Sequence, residues 1–167
     1  MNAADHPAET QRANRSWFDS SASTSVSGMV NERTLMKTTP EQNKRLVLEA
    51  FDTLFNKRDY EAAKRYWSPD YIQHSAHIEP GRDGLFNLVR HAPPTLKYEP
   101  GLIVAEGDYL IVHGRFSGRG SSVNWIAADI LRIENGVLQE HWDVLQDEAT
   151  EEQSKSKAPM FGKSFPR

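Results

Sequence analysis

Trp125-Ile126-Ala127-Ala128-Asp129-Ile130-Leu131-Arg132-Ile133-Glu134-Asn135-Gly136-Val137-Leu138-Gln139-Glu140-His141-Trp142-Asp143-Val144-Leu145 is the stretch whose reading decides the fold. Two runs rich in β-branched, aromatic and apolar residues flank a Gly/Asn turn, the pattern of an antiparallel hairpin. Working back from it, the period of two persists to Lys97 and turns recur about every ten residues, as in an antiparallel meander. The predicted strands run from Lys97 to Ala105, Tyr109 to Ser117, Val123 to Ile133 and Val137 to Leu145, with tight turns at Glu106-Gly107-Asp108 and Glu134-Asn135-Gly136.

Upstream of Lys97 the period is helical. Thr39-Pro40-Glu41-Gln42 combines an N-cap, a first-turn proline and a Gln three residues after the cap, which together mark a helix start. Leu46, Val47, Ala50, Phe51, Leu54 and Phe55 then form one apolar stripe ending near Asn56. Asp59 reads as the cap of a second helix that runs to Trp67 and stops at Ser68-Pro69-Asp70. Tyr71 to His74 is a short extended piece, Pro80-Gly81 a turn, and Arg82 to His91 a third helix ended by Pro93-Pro94. Helices followed by a long curved antiparallel sheet is an α+β arrangement, and helices that only partly cover a concave sheet face leave a pocket.

The 167 residues, 38% hydrophobic and 26% charged, suit one globular domain with polar chain left over. That domain is expected over residues 38–147. Residues 1–37, with the run Ser20-Ser21-Ala22-Ser23-Thr24-Ser25, read as a flexible arm, and residues 148–167 as a polar tail. Met36 directly precedes the helix start and, with Met29, is a candidate native start. A net charge of −3 and the absence of long basic clusters argue against nucleic acid as a partner. No apolar run reaches the ~20 residues of a membrane span, and the first residues lack a signal-peptide pattern; a cytoplasmic protein is expected. With no cysteine, thiolate chemistry and disulfides are excluded.

Register arithmetic places the chemistry. Side chains alternate along a strand, so the turn decides which of them face each other. With a three-residue loop at Glu134-Asn135-Gly136, Asp129 lies across from His141 and shares a face with Trp125, Ala127 and Gln139. With Asn135-Gly136 alone as the loop, Asp129 meets Trp142 and His141 turns to the other face. The first register is preferred because it groups the polar residues. Pairing Ser117 with Val123 adds His113 and Arg115 to that face. Asp129 interrupts an otherwise apolar strand, where burial raises a carboxyl pKa toward the range useful for acid/base work. Histidine is the other side chain suited to moving protons near neutral pH. The catalytic candidates are therefore Asp129, His141 and His113, and the ligand-contact candidates are His74, Arg115, Trp125, Gln139, Tyr71 and Trp67. The plainer alternative for Asp129 is a structural ion pair with His141 or Arg115. No metal-ligand spacing such as H-x-x-x-H links His74, His113 and His141, and no phosphate loop, dinucleotide fingerprint or G-x-S-x-G elbow is present.

The stretch Ala128 to Gln146 resembles the signature of the SnoaL-like polyketide cyclase family, within the nuclear transport factor 2-like superfamily. Asp70-Tyr71-Ile72-Gln73-His74, Glu106-Gly107-Asp108 with His113, and the opening helix from Pro40 to Asn56 are similar to further landmarks, so the resemblance covers about residues 38 to 147. It implies a cone-shaped α+β barrel, a curved antiparallel sheet wrapped around N-terminal helices, forming a homodimer through the sheet. It also implies a small-molecule substrate or ligand, no cofactor, and an acid/base role for Asp129 in aldol-type cyclisation or isomerisation. Here Ser75-Ala76 follows His74 where the family commonly has Asn-Pro, and no second carboxylate base is matched; Asp52 and Asp70 are candidates by default. An epoxide-opening relative would need an arginine where Ala127 stands. A binding or dimerisation module without catalysis is the alternative the resemblance leaves open.

Overall fold

The computed structural model describes residues 37–166; the arm expected over residues 1–37 therefore lies, apart from Lys37, outside the described residues. Helix α1 spans Pro40–Phe51, and its start is the predicted one: Thr39 Oγ1 accepts from Gln42 N while the Gln42 side chain accepts from Thr39 N. The helix widens into a π-helical turn over Asp52–Asn56. That turn delivers Asn56 to the sheet, where its amide exchanges hydrogen bonds of 2.9 and 3.1 Å with the backbone of Tyr98. The predicted stripe of α1 is buried at Val47, Ala50, Phe51, Leu54 and Phe55.

Helix α2 is a single turn, Tyr60–Ala63, capped by the Asp59 side chain. The expected continuation to Trp67 does not form, because Trp67–Gln73 is strand β1. Pro69 is tolerated there because β1 is an edge strand whose pairing is interrupted between Trp67 and Ile72. Helix α3 covers Gly81–His91, and strands β2 (Lys97–Glu106), β3 (Tyr109–Ser117), β4 (Trp125–Glu134) and β5 (Val137–Asp147) follow. The five strands form one curved sheet in the order β1-β5-β4-β3-β2, antiparallel except for the parallel pair β1 and β5.

Register is where the sequence expectation is corrected. Glu134 pairs with Val137, so Asn135-Gly136 is a two-residue turn with φ of +53° and +77°. A β-bulge follows: Ile133 pairs with Leu138 but Arg132 with Glu140, leaving Gln139 extra. The extra residue restores parity, so Leu131 meets His141 and Asp129 meets Asp143. In the preceding hairpin Phe116 pairs with Trp125, not Ser117 with Val123, and Val112 lies across from Asp129. That slip of one residue sends His113 and Arg115 to the opposite face.

The inner face of the sheet and the helices bury an aromatic cluster. Tyr98 lies 5.1 Å from Phe51, 5.8 Å from Phe55 and 4.7 Å from Phe116 between ring centroids, and Trp67 stacks on Phe51 at 6.3 Å. Gly114 makes room for this: a Cβ there would come within 2.6 Å of the Tyr98 ring. Residues 148–166, expected as a polar tail, lie against the outer face. Buried Glu148 bonds Arg115 at 3.3 Å and Asn124 at 2.8 Å, and Phe161 fills the notch at Gly101 with its ring under the Arg115 guanidinium. Among the described residues no helix is long and apolar enough to cross a membrane.

Candidate active site

Strand β4 carries Asp129 to the inner face, where the apolar neighbours Val112, Ala127 and Leu131 leave it 3% exposed. Burial pushes its carboxyl well above the ordinary value; the hydrogen bond and charge of His141 oppose this, and the neighbouring Asp143 adds to the rise. Asp129 Oδ1 lies 3.1 Å from His141 Nε2. Asp129 Oδ2 and the hydroxyl of Tyr98 are both buried without a well-formed hydrogen bond, and they are near enough for the phenol to favour the Asp129 carboxylate slightly against the effect of burial. The Tyr98 phenol is itself held protonated, chiefly by burial and then by the nearby Asp129 charge.

The other ring nitrogen of His141 decides what the pair can do. Its Nδ1 lies 2.9 Å from Gln73 Oε1. The same Oε1 accepts from the Ser75 backbone N–H at 2.9 Å. A backbone N–H only donates, so this corner of the amide must be the oxygen. Nδ1 of His141 must then carry a proton and donate it. Two states follow for the 3.1 Å contact: a neutral imidazole accepting from a protonated Asp129, or an imidazolium facing the Asp129 carboxylate. Either way one proton is shared between Oδ1 and Nε2, and the pair is neutral as a unit.

Asp129 and His141 line a cavity of about 600 Å³ bounded by α1, α3 and the sheet. Its walls are largely apolar, with Phe51, Phe55, Leu85, Val89, Phe116 and Leu145 among them. Of the residues singled out from the sequence, Tyr71 and Trp125 also face this cavity. Trp67 is packed in the core behind it, 1% exposed. Gln139, the bulge residue, turns to the sheet edge and donates to Asp70 O. His74 is on the outer face, stacked on Trp142 at 4.7 Å and bonded to Glu140 at 2.8 Å. His113 sits beside Phe161, and Arg115 pairs with Glu99 and Glu148. His74 and His113 are thus across the sheet from Asp129 and His141, and these four cannot converge on one ion; the described residues contain no metal-binding cluster of His and carboxylates.

Two residues of the site escape the sequence reading. It is Gln73, and not its neighbour His74, that turns inward to His141. Asp143 faces the cavity directly across from Asp129. Both would follow from parity once the bulge at Gln139 is known, and nothing in the local sequence marks that bulge.

The arrangement of helices on a curved sheet has structural counterparts. The fold of the chain resembles that of a candidate ketosteroid isomerase from Kribbella flavida DSM 17836, with 18% identity, 76% of this chain and 97% of that one covered, and a TM-score of 0.60. It also resembles a candidate SnoaL-like polyketide cyclase from Jannaschia sp. CCS1, with 19% identity, 64% and 87% coverage and a TM-score of 0.55. AclR, a candidate hydroxylase from Streptomyces galilaeus, is 27% identical over 65% of this chain and 81% of its own, with a TM-score of 0.54. No curated protein matches the sequence. The family profile of the SnoaL-like domain matches residues 47–141, a span that runs from the buried face of α1 to His141 itself and covers more than half of the chain; the chain belongs to the SnoaL-like domain family.

Proposed function

We propose that the chain is a cofactor-free acid/base catalyst that moves a proton at the carbon next to a carbonyl group, in an aldol-type cyclisation or an isomerisation. The observation that carries this reading is the buried Asp129–His141 pair in the wall of the cavity, with Oδ1 held by His141 and Oδ2 lacking a well-formed hydrogen bond. A buried oxygen in that condition is costly, and a ligand atom that meets it recovers that loss. In the ionic state of the pair, Oδ2 takes the α-proton, and the electrons of the C–H bond become the enolate. His141 remains protonated and opposes the developing negative charge. In a cyclisation the enolate carbon then bonds to a second carbonyl carbon, and the alkoxide formed takes the proton back from Asp129. In an isomerisation the same proton returns to a different carbon. The apolar wall keeps water from competing for it.

The test is deuterium uptake. A methyl ketone such as 6-acetyl-2-naphthoate, incubated with the protein in D2O, gains deuterium at its acetyl carbon faster than buffer alone allows, and Asp129→Asn removes the gain. Saturable binding without any exchange in the wild type rejects catalysis and leaves a binding protein.

The partner in this reading is a second copy of the chain. Ile72, Val104, Tyr109, Ile111 and Val144 all project from the outer face and are 43–65% exposed, an apolar surface of the kind that marks an interface. Light scattering should give twice the monomer mass, and a monomeric mass at micromolar concentration rejects the pairing.

A further inference from the structure

The loop between β3 and β4 brings a cation to the same cavity. Arg119 lies over the Trp125 indole, 3.0 Å from the ring centroid, and both residues line the cavity. The indole is fixed from its edge by a 3.0 Å hydrogen bond from Nε1 to Asp147. Arg119 uses one donor, to Val123 O at 3.2 Å. No other hydrogen bond to its guanidinium occurs among the described residues; none of the cavity's carboxylates, Glu79, Asp129 and Asp143, is within ion-pair distance of it, and Asp147, which holds the indole edge, acts on it only through its charge. Other arginines of the sheet are satisfied: Arg115 holds two carboxylates and Arg132 holds two. A planar fork of donors, stacked and partly desolvated but without a carboxylate bonded to it, is the arrangement that receives one.

We infer that Arg119 anchors a carboxylate of the ligand, so that the cavity takes apolar keto acids with the acid end at Arg119 and the carbonyl end at Asp129. This rests on the reading of Asp129 and His141 as the reacting end. Trp125 and Asp129 stand on one face of β4, four residues and roughly 13 Å apart along the strand. An elongated ligand of about two fused rings, with the polar groups at opposite ends, fits that span better than a short acid.

The experiment uses the full chain and two probes, 6-acetyl-2-naphthoate and its methyl ester, with binding measured by calorimetry and deuterium exchange measured in parallel. The wild type should bind the acid roughly 10- to 100-fold more tightly than the ester, the effect expected of a hydrogen bond to a charged group. Arg119→Met should erase the preference, so that acid and ester bind alike, and Arg119→Lys should keep part of it. Asp129→Asn should keep the full preference while losing exchange. Equal binding of acid and ester by the wild type, a preference that survives in Arg119→Met, or binding of neither probe overturns the inference. Preserved preference without wild-type exchange overturns the proton-transfer reading instead and leaves the role of Arg119 standing.

Discussion

Gln73 fixes the tautomer of His141. Its Oε1 is committed to the Ser75 N–H and so presents only an acceptor to Nδ1, at 2.9 Å. The proton on Nδ1 leaves Nε2 free to trade a single proton with Asp129, which is the arrangement an acid/base pair needs. Gln73→Leu removes that constraint and should slow deuterium exchange by roughly 10- to 100-fold, a share of the ~10²–10⁴ that positioned acid/base groups supply. Gln73→Glu keeps an acceptor for both N–H groups and should restore most of the rate. Equal rates in the wild type and Gln73→Leu, compared across pH 5 to 9, would show that the ring needs no orienting partner.

Asp129→Asn separates chemistry from stability. The Asn amide donates to His141 Nε2 in the same tautomer, so the hydrogen bond survives while the titrating proton is gone. Exchange should fall by ~10² or more. The stability effect has a definite sign. A carboxyl raised by burial keeps its proton in the folded chain at pH values where the unfolded chain, with a carboxyl pKa of about 3.9, has released it. Wild-type stability therefore falls as pH rises from about 3.9 to the raised folded value and levels off above it, apart from other groups. Asp129→Asn lacks this decline and should be at least as stable as the wild type at pH 7. Urea unfolding at several pH values measures it; a variant markedly less stable at pH 7 would make Asp129 a structural ion, not a held acid.

The first and third helices and the bounds of the four later strands were legible because each is written in local chemistry, whereas the helical spacing up to Trp67 concealed the start of β1. Thr39 and Gln42 make a capping box wherever they occur in that spacing, and the apolar stripe from Leu46 to Phe55 needs only its own period. The oddity of Asp129 among Ile126, Ala127, Ile130 and Leu131 was legible for the same reason. What joins strands was not. The bulge at Gln139 and the slip from Ser117–Val123 to Phe116–Trp125 each amount to one residue, and one residue exchanges the two faces of a strand. The preferred register placed Asp129 and His141 on one face, which the structure also does, but through a two-residue turn plus a bulge. It placed His113 and Arg115 there too, and the structure does not. Arg119 was out of reach altogether, since a loop residue has no period to betray its direction.

Asp143→Asn tests the electrostatics from across the strand pair. Asp143 lies opposite Asp129, and its negative charge is one of the causes that raise the Asp129 carboxyl. Removing a like charge favours ionisation, so the Asp129 pKa must drop. The limb of the pH–rate profile that reports this group should move to lower pH, with the rate on its plateau largely kept. An unmoved limb would assign that titration to a group other than Asp129.

Deleting Gln139 tests whether the bulge matters for parity alone. Leu138 pairs with Ile133 and Glu140 with Arg132, so removing the residue between them leaves a regular ladder in which His141 still meets Leu131 and still faces Asp129. The deletion also removes the hydrogen bond to Asp70 O and the extra twist that a bulge gives its strand. Stability should therefore fall, by about 1–3 kcal/mol in urea unfolding, while Asp129-dependent exchange stays within about tenfold of the wild type. A folded deletion variant with no exchange would mean that the curvature at the bulge, and not merely the face on which His141 emerges, sets the distance between the two partners of the proton.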